Sequence, residues 1–189
     1  MGWVTEVATV EAEPQQHTVL ISAGHSSTDP GAVAQGHTEA EIVTEFRDLV
    51  SQALADQGIR HLTDGPAGRN WPLGEAVELA AEADIAVEFH CDAASPRASG
   101  TWTLSHASDF PLAGRLCTVT AETLGIRNRG AAPENAGQHH RLAFVSDGGG
   151  IIHELYFLTS PVDLAAYQQH RAALAERVAG VIAEAARRA

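Results

Sequence analysis

Residues 84–92 read DIAVEFHCD, and the alternation inside that stretch decides the fold. Ile85, Val87 and Phe89 fall on one parity, with Ala86, Glu88 and His90 on the other. That period of two sends successive side chains to opposite faces of a sheet. The run reads as a central strand whose end carries a histidine. Upstream, Val19, Leu20 and Ile21 form a second buried strand that stops at Ser22-Ala23-Gly24-His25, a turn that also ends on a histidine. Asp29-Pro30-Gly31 supplies turn chemistry in the loop that follows.

From Thr38 the period changes. Ile42, Val43, Phe46, Leu49, Val50, Ala53 and Leu54 recur at the three-and-four spacing of one helical face. Thr38 and Glu41 make a capping box at its start, and Gly58 suits its end. Further elements are expected as a short strand at 59–62, a helix at 73–83 and a strand at 101–104. A helix over 110–124 closed by Gly125 follows, then strands at 142–145 and from Ile151 into Glu154, and a terminal helix from Val162. Strands alternating with helices, without repeats or a second composition block, imply an α/β fold: a three-layer sandwich with a largely parallel mixed sheet flanked by helices. Residues 1–17 lack sustained periodicity and read as an N-terminal arm, leaving 18–189 as the single domain.

Composition bounds the function. The 189 residues would bury roughly 70% of the surface exposed by the unfolded chain, enough for one core. A formal charge of -12 disfavours nucleic acid and anionic lipid as partners. No apolar run approaches the roughly 20 residues needed to cross a bilayer, and the opening MGWVTEVATVEAEPQQ lacks the charged and apolar segments of a secretory signal. Cys91 and Cys117 form no CxxC pair, so a zinc ribbon is excluded and two free thiols are expected.

Ligands of open α/β sheets bind at the carboxyl ends of strands. His25, His90 and Glu154 are expected at such ends, and Glu39 opens the helix facing the His25 loop. Two histidines and two carboxylates can therefore meet in one cleft. Two His and one Glu are a standard set for zinc with one position left for water, and a further carboxylate can carry the proton. Glu39 and Glu41 point to nearly opposite sides of their helix, and the capping role of Glu41 leaves Glu39 as the candidate ligand. Taken singly, each histidine is better read as a hydrogen-bonded structural group. Nothing in the spacing selects His37, His106, His139, His140 or His153 for the site. Trp71 and Trp102 suit stacking on sugar, although packing is the commoner role of tryptophan.

The segments AGHSSTDPGA with Glu39 downstream, FHCDA at 89–93 and GGIIHELYFLTSPVD at 149–163 resemble the type-3, zinc-dependent N-acetylmuramoyl-L-alanine amidase family. The likeness covers nearly all of the chain after residue 17. It implies one Zn2+ per chain held by His25, Glu39 and His90, with Glu154 as catalytic residue. Peptidoglycan is the implied partner, cut at the amide between N-acetylmuramic acid and L-alanine. Arg129-Gly130 matches an Arg-Gly turn of the family. Glu88-Phe89-His90 stands where the family usually has Ser-Ile-His, Asp92 where it has Asn, and Ser26-Ser27 where it has a Gly-rich turn. Nothing between Asp92 and Gly100 is long enough for a plugging helix, which fits an uninhibited catalytic domain of the endolysin kind. Such a protein is expected to be a monomer, made in the cytoplasm and acting on the wall after release or export by another factor. The rivals are a zinc peptidase acting within the stem peptide and a catalytically silent wall-binding module.

Overall fold

The computed structural model describes residues 17–137 and 139–188. Except for His17, the arm expected over residues 1–17 lies outside the described residues. The elements run β1 (Val19–Ala23), β2 (Val33–Ala34), β3 (His37–Thr38), α1 (Glu39–Asp56), β4 (His61–Thr63), α2 (Leu73–Ala81), β5 (Ile85–Asp92) and β6 (Thr101–Ser105). They continue α3 (Phe110–Leu124), β7 (Asn128–Pro133), α4 (Ala143–Ser146), β8 (Ile151–Phe157) and α5 (Pro161–Ala186). Six strands form one sheet in the order β4-β1-β5-β8-β6-β7. Every neighbouring pair is parallel except β6 with β8.

The parity of β5 partitions the core as the sequence demands. Val87, Phe89 and Cys91 enter the larger apolar cluster, which the buried faces of α1, α3 and α5 complete with Val43, Phe46, Leu116 and Leu174. Ala86 points the other way, into a smaller cluster with Leu20, Ala76, Ala80, Phe144 and Ile152 under α2 and α4. Glu88 and His90 share the parity of Ala86, so they lie on this thinner side, where short helices leave the sheet partly uncovered.

Three local readings change. Residues 142–145, expected as a strand, become the short helix α4, because a four-residue apolar run carries no period that separates strand from helix. The chain then folds back over Phe144, and a side chain at Gly150 would meet that ring at 2.3 Å. The Arg129-Gly130 pair lies inside β7, an edge strand whose Asn-Arg-Gly and terminal Pro133 are tolerated because one edge has no partner to satisfy. The small β2–β3 hairpin was also unforeseen. Its turn residues Gln35 and Gly36 have φ of 53° and 79°, the left-handed pair of a two-residue hairpin.

A buried arginine ties the first turn to this frame. Arg47 is fully buried, and its Nη1 donates to Asp64 Oδ1 at 2.8 Å and Asn70 Oδ1 at 2.8 Å while Nη2 donates to Asp48 at 2.7 Å. Asn70 passes the restraint on: its Nδ2 donates to the carbonyls of Ala23, Gly24 and His25 at 2.9, 3.3 and 3.3 Å. Asn70→Ala is expected to cost about 1–3 kcal/mol, the scale of losing a partner to a buried charged group. Urea denaturation of the metal-free protein measures this, and an unchanged midpoint would show that Asp48, Asp64 and the carbonyl oxygens of Pro66 and Arg69, which also accept from the guanidinium, hold Arg47 unaided.

Candidate metal centre

His25 leaves β1 with a φ of 66°, in the left-handed region that a non-glycine residue occupies only under constraint. The three bonds from Asn70 supply that constraint. The ring Nδ1 lies 3.0 Å from Asp29 Oδ2, and Nε2 lies 3.1 Å from Glu39 Oε2.

Glu39 is the first residue of α1. Thr38 caps that helix with the reciprocal Glu41 bond read from the sequence, so Glu41 faces the cap and Glu39 turns to the sheet. Its side chain is 5% exposed, and each oxygen accepts a backbone N–H, from Cys91 at 2.9 Å and from Ala32 at 3.0 Å. His90 Nδ1 lies 2.9 Å from Glu39 Oε1, while its Nε2 lies 3.0 Å from Glu88 Oε1. Both histidines therefore present one nitrogen to Glu39 and the other to a second carboxylate.

Donor atoms of His25, Glu39 and His90 all lie within 4.8 Å of one another. Glu39 meets His25 through Oε2 at 3.1 Å and His90 through Oε1 at 2.9 Å, so its carboxylate lies between the two imidazoles and the three groups face one point. The donor chemistry fits as well, with two imidazoles and one carboxylate. Burial pushes the Glu39 carboxyl up, but His25 and His90 outweigh it and hold it well below the usual carboxylate range. Burial pulls His90 down, but Glu39 and Glu88 outweigh it and hold its pKa well above the ordinary imidazole value. A metal ligand must offer a lone pair, so metal binding here competes with protons for the nitrogens of His25 and His90 that face Glu39.

Two glycines make room for this cage. A side chain at Gly24 would meet His90 Cε1 at 2.1 Å, and one at Gly31, whose φ is 64°, would meet His25 Cδ2 at 2.5 Å and Glu39 Oε2 at 2.7 Å. Gly24→Ala is expected to displace the His90 ring and weaken zinc binding by about tenfold to a hundredfold, the scale of misoriented ligands. Chelator competition reads the change, and wild-type affinity would mean that the ring moves aside without loss.

The cage opens into a cavity of about 560 Å³ that Glu154, Asp92, Trp102 and Arg129 also line. Glu154 pairs with His90 across β5 and β8 and faces the same side. Both residues lie within their strands rather than at the ends, since β5 runs to Asp92 and β8 to Phe157. Glu154 Oε2 is buried and meets no hydrogen-bond donor among the described residues. Burial pushes its carboxyl up to about 8; His90 pulls against this, while Glu39 and Asp92 add to it. Trp102 Nε1 donates to Asp92 Oδ2 at 3.1 Å, and the Arg129 guanidinium sits 4.5 Å above the Phe157 ring.

The remaining histidines separate clearly. His153 points to the opposite face, fully buried beside Thr120 Oγ1 at 3.1 Å, and burial pulls its pKa down to about 3. His139 lines the cavity. His106 and His140 are exposed, and His37 lies 3.3 Å from Gln168 Nε2. Trp71 is 46% exposed and flanks the other side of His25. Cys91 and Cys117 are buried free thiols. Sequence reasoning did not single out Asp29 and Glu88 as carboxylates on the outer ring nitrogens. For Glu88 a signal was available: it shares the parity of His90 two residues away.

The model of the N-acetylmuramoyl-L-alanine amidase family matches residues 19–186. The chain belongs to that family. A crystal structure from Neisseria meningitidis assigned as an N-acetylmuramoyl-L-alanine amidase is 35% identical, with a TM-score of 0.81 over 89% of this chain and 95% of that one. The amidase LytC of Bacillus subtilis is 30% identical over 121 residues, which are 60% of this chain and 24% of LytC. The Bacillus subtilis protein YqiI is 29% identical over 161 residues, 80% of this chain and 76% of YqiI. Family membership makes this chain a peptidoglycan amidase and agrees with the three-layer α/β architecture. Among the described residues no helix is long and apolar enough to cross a membrane.

Proposed function

We propose that this amidase is a lysin that hydrolyses the bond between N-acetylmuramic acid and L-alanine with one zinc ion held by His25 Nε2, Glu39 and His90 Nδ1. The observation that carries the reading is the convergence of those three donors at the floor of the cavity that Glu154 lines. Bound there, zinc would supply Lewis acidity, polarising the scissile carbonyl and bringing the pKa of a water to about 7.

The protein's own groups do the rest. Glu154 Oε2, without a hydrogen-bond donor of its own, is free to take a proton from the attacking water and return it to the departing alanine nitrogen. Burial raises the proton affinity of that carboxyl in the metal-free protein, which strengthens it as an acceptor once ionised, and a bound cation would offset part of the rise. Trp102 and Arg129 offer an apolar face and a cation to the substrate on the same wall. Residues 93–100 contain no helix to cover the cavity, which fits an uninhibited catalytic domain.

The deciding experiment digests purified peptidoglycan and identifies products by mass spectrometry. Stem peptides beginning with free L-alanine, lost on chelation and restored by zinc, are expected. Fragments in which alanine stays joined to muramic acid would instead make the enzyme a stem peptidase.

A further inference from the structure

Glu88 occupies an unusual position for a carboxylate. It lies in the middle of the central strand β5, between Ser22 of β1 and Ile152 of β8, with a side chain only 4% exposed. A carboxylate there is costly unless its oxygens are paired. No lysine or arginine forms an ion pair with it among the described residues. Its two partners are Ser22, whose Oγ donates to Oε2 at 3.0 Å, and His90, whose Nε2 lies 3.0 Å from Oε1. Ser22 is itself fully buried, so its hydroxyl holds one Glu88 oxygen out of contact with solvent.

We propose that Glu88 is a positioning residue for the metal: it accepts the Nε2–H of His90 and so fixes the ring with the Nδ1 lone pair aimed at the site shared with His25 and Glu39. This rests on the zinc reading above. An imidazole has two nitrogens and two tautomers, and the hydrogen bond made by one nitrogen decides which lone pair is offered by the other. The ring has little freedom to evade this bond. Gly24 presses against it closely enough that a single methyl group would collide, while Glu39 lies on the Nδ1 side. A neutral group would satisfy Ser22 equally well; a buried anion in line with the ring N–H also makes the imidazole a stronger donor to a cation.

His25 provides an internal comparison. Its outer nitrogen meets Asp29 at the same 3.0 Å, but Asp29 is 65% exposed whereas Glu88 is 4% exposed. Solvent screens the first pair and not the second. The two carboxylates therefore make unequal contributions, with Glu88 the larger.

The test measures zinc dissociation constants by chelator competition on the full chain and on Glu88→Ala, Glu88→Gln, Asp29→Ala and His90→Ala, together with the visible spectrum of the cobalt(II) form and the melting temperature of the metal-free protein. Glu88→Ala is expected to weaken zinc by about tenfold to a hundredfold and to shift the cobalt bands, with Glu88→Gln intermediate. Asp29→Ala should change affinity by less than about threefold, as befits an exposed, screened pair. Unchanged zinc affinity and cobalt spectrum in both Glu88 variants, with His90→Ala losing the metal, would overturn the role of Glu88 and leave the zinc reading intact. A lowered melting temperature with unchanged affinity would likewise reduce Glu88 to a structural residue. Wild-type affinity in His90→Ala would remove the metal site itself, and Glu88 with it. If Glu88→Ala does not fold, the near-isosteric Glu88→Gln decides alone.

Discussion

Glu154→Gln is expected to lower peptidoglycan turnover by about a hundredfold to ten-thousandfold, the range of positioned acid-base groups, while one zinc per chain stays bound. The substitution keeps the shape of a half-buried side chain whose Oε2 has no donor to lose, so the fold should tolerate it. It also has a signature in stability that a purely steric role would lack. In the metal-free protein burial raises the Glu154 carboxyl to about 8, above its ordinary value. Between the ordinary carboxyl range near 4.3 and 8, the folded chain holds a proton that the unfolded chain has released, so this residue's contribution to stability falls as pH rises through that window. Glutamine has no such proton. The metal-free variant should therefore gain on the wild type in thermal stability between pH 5 and pH 8. Identical pH profiles would place Glu154 in a wetter setting than its burial indicates. Loss of zinc in the variant would mean that Glu154 is a ligand and another carboxylate carries the proton.

How far the centre was readable in advance depends on the range of the interactions. The parity of DIAVEFHCD put Glu88 and His90 on one face, and that assignment needed only the period of a strand. The separation of Glu39 from Glu41 needed only the first turn of a helix. Residues 142–145 and β7 failed for local reasons: the first is too short to show a period, and the second is an edge strand that tolerates arginine, glycine and proline. Asn70 and Asp64 were invisible for a different reason. They act on the His25 turn from a loop more than forty residues away, and the β1–β4 register brings that loop beside it. The central strand ends at Asp92 as expected, two residues past His90, whereas the last strand, expected to lead into Glu154, continues to Phe157, so the site sits on the face of the sheet just below its rim.

The sharpest contrast available is between two glutamates two residues apart. Glu39→Ala is expected to weaken zinc by well over about a hundredfold, beyond the range for a residue that only orients a ligand, and to abolish turnover. Each Glu39 oxygen faces a histidine nitrogen and a backbone N–H, so no neighbouring carboxylate can take its place without moving the start of α1. The change also leaves the Ala32 and Cys91 N–H groups without their acceptor, which should lower metal-free stability by about 1–3 kcal/mol for each that water cannot reach. Glu41→Ala removes only the return bond of the capping box, whose donor is the Thr38 N–H at 3.4 Å. About 0.5–1 kcal/mol of stability should go, with zinc stoichiometry and turnover unchanged. Metal analysis of the two purified variants, read beside their denaturation curves, separates the roles. If Glu41→Ala lost zinc and Glu39→Ala retained it, the helix would have to present its opposite side to the sheet, which the burial of Ile42, Val43 and Phe46 does not permit without unpacking the core.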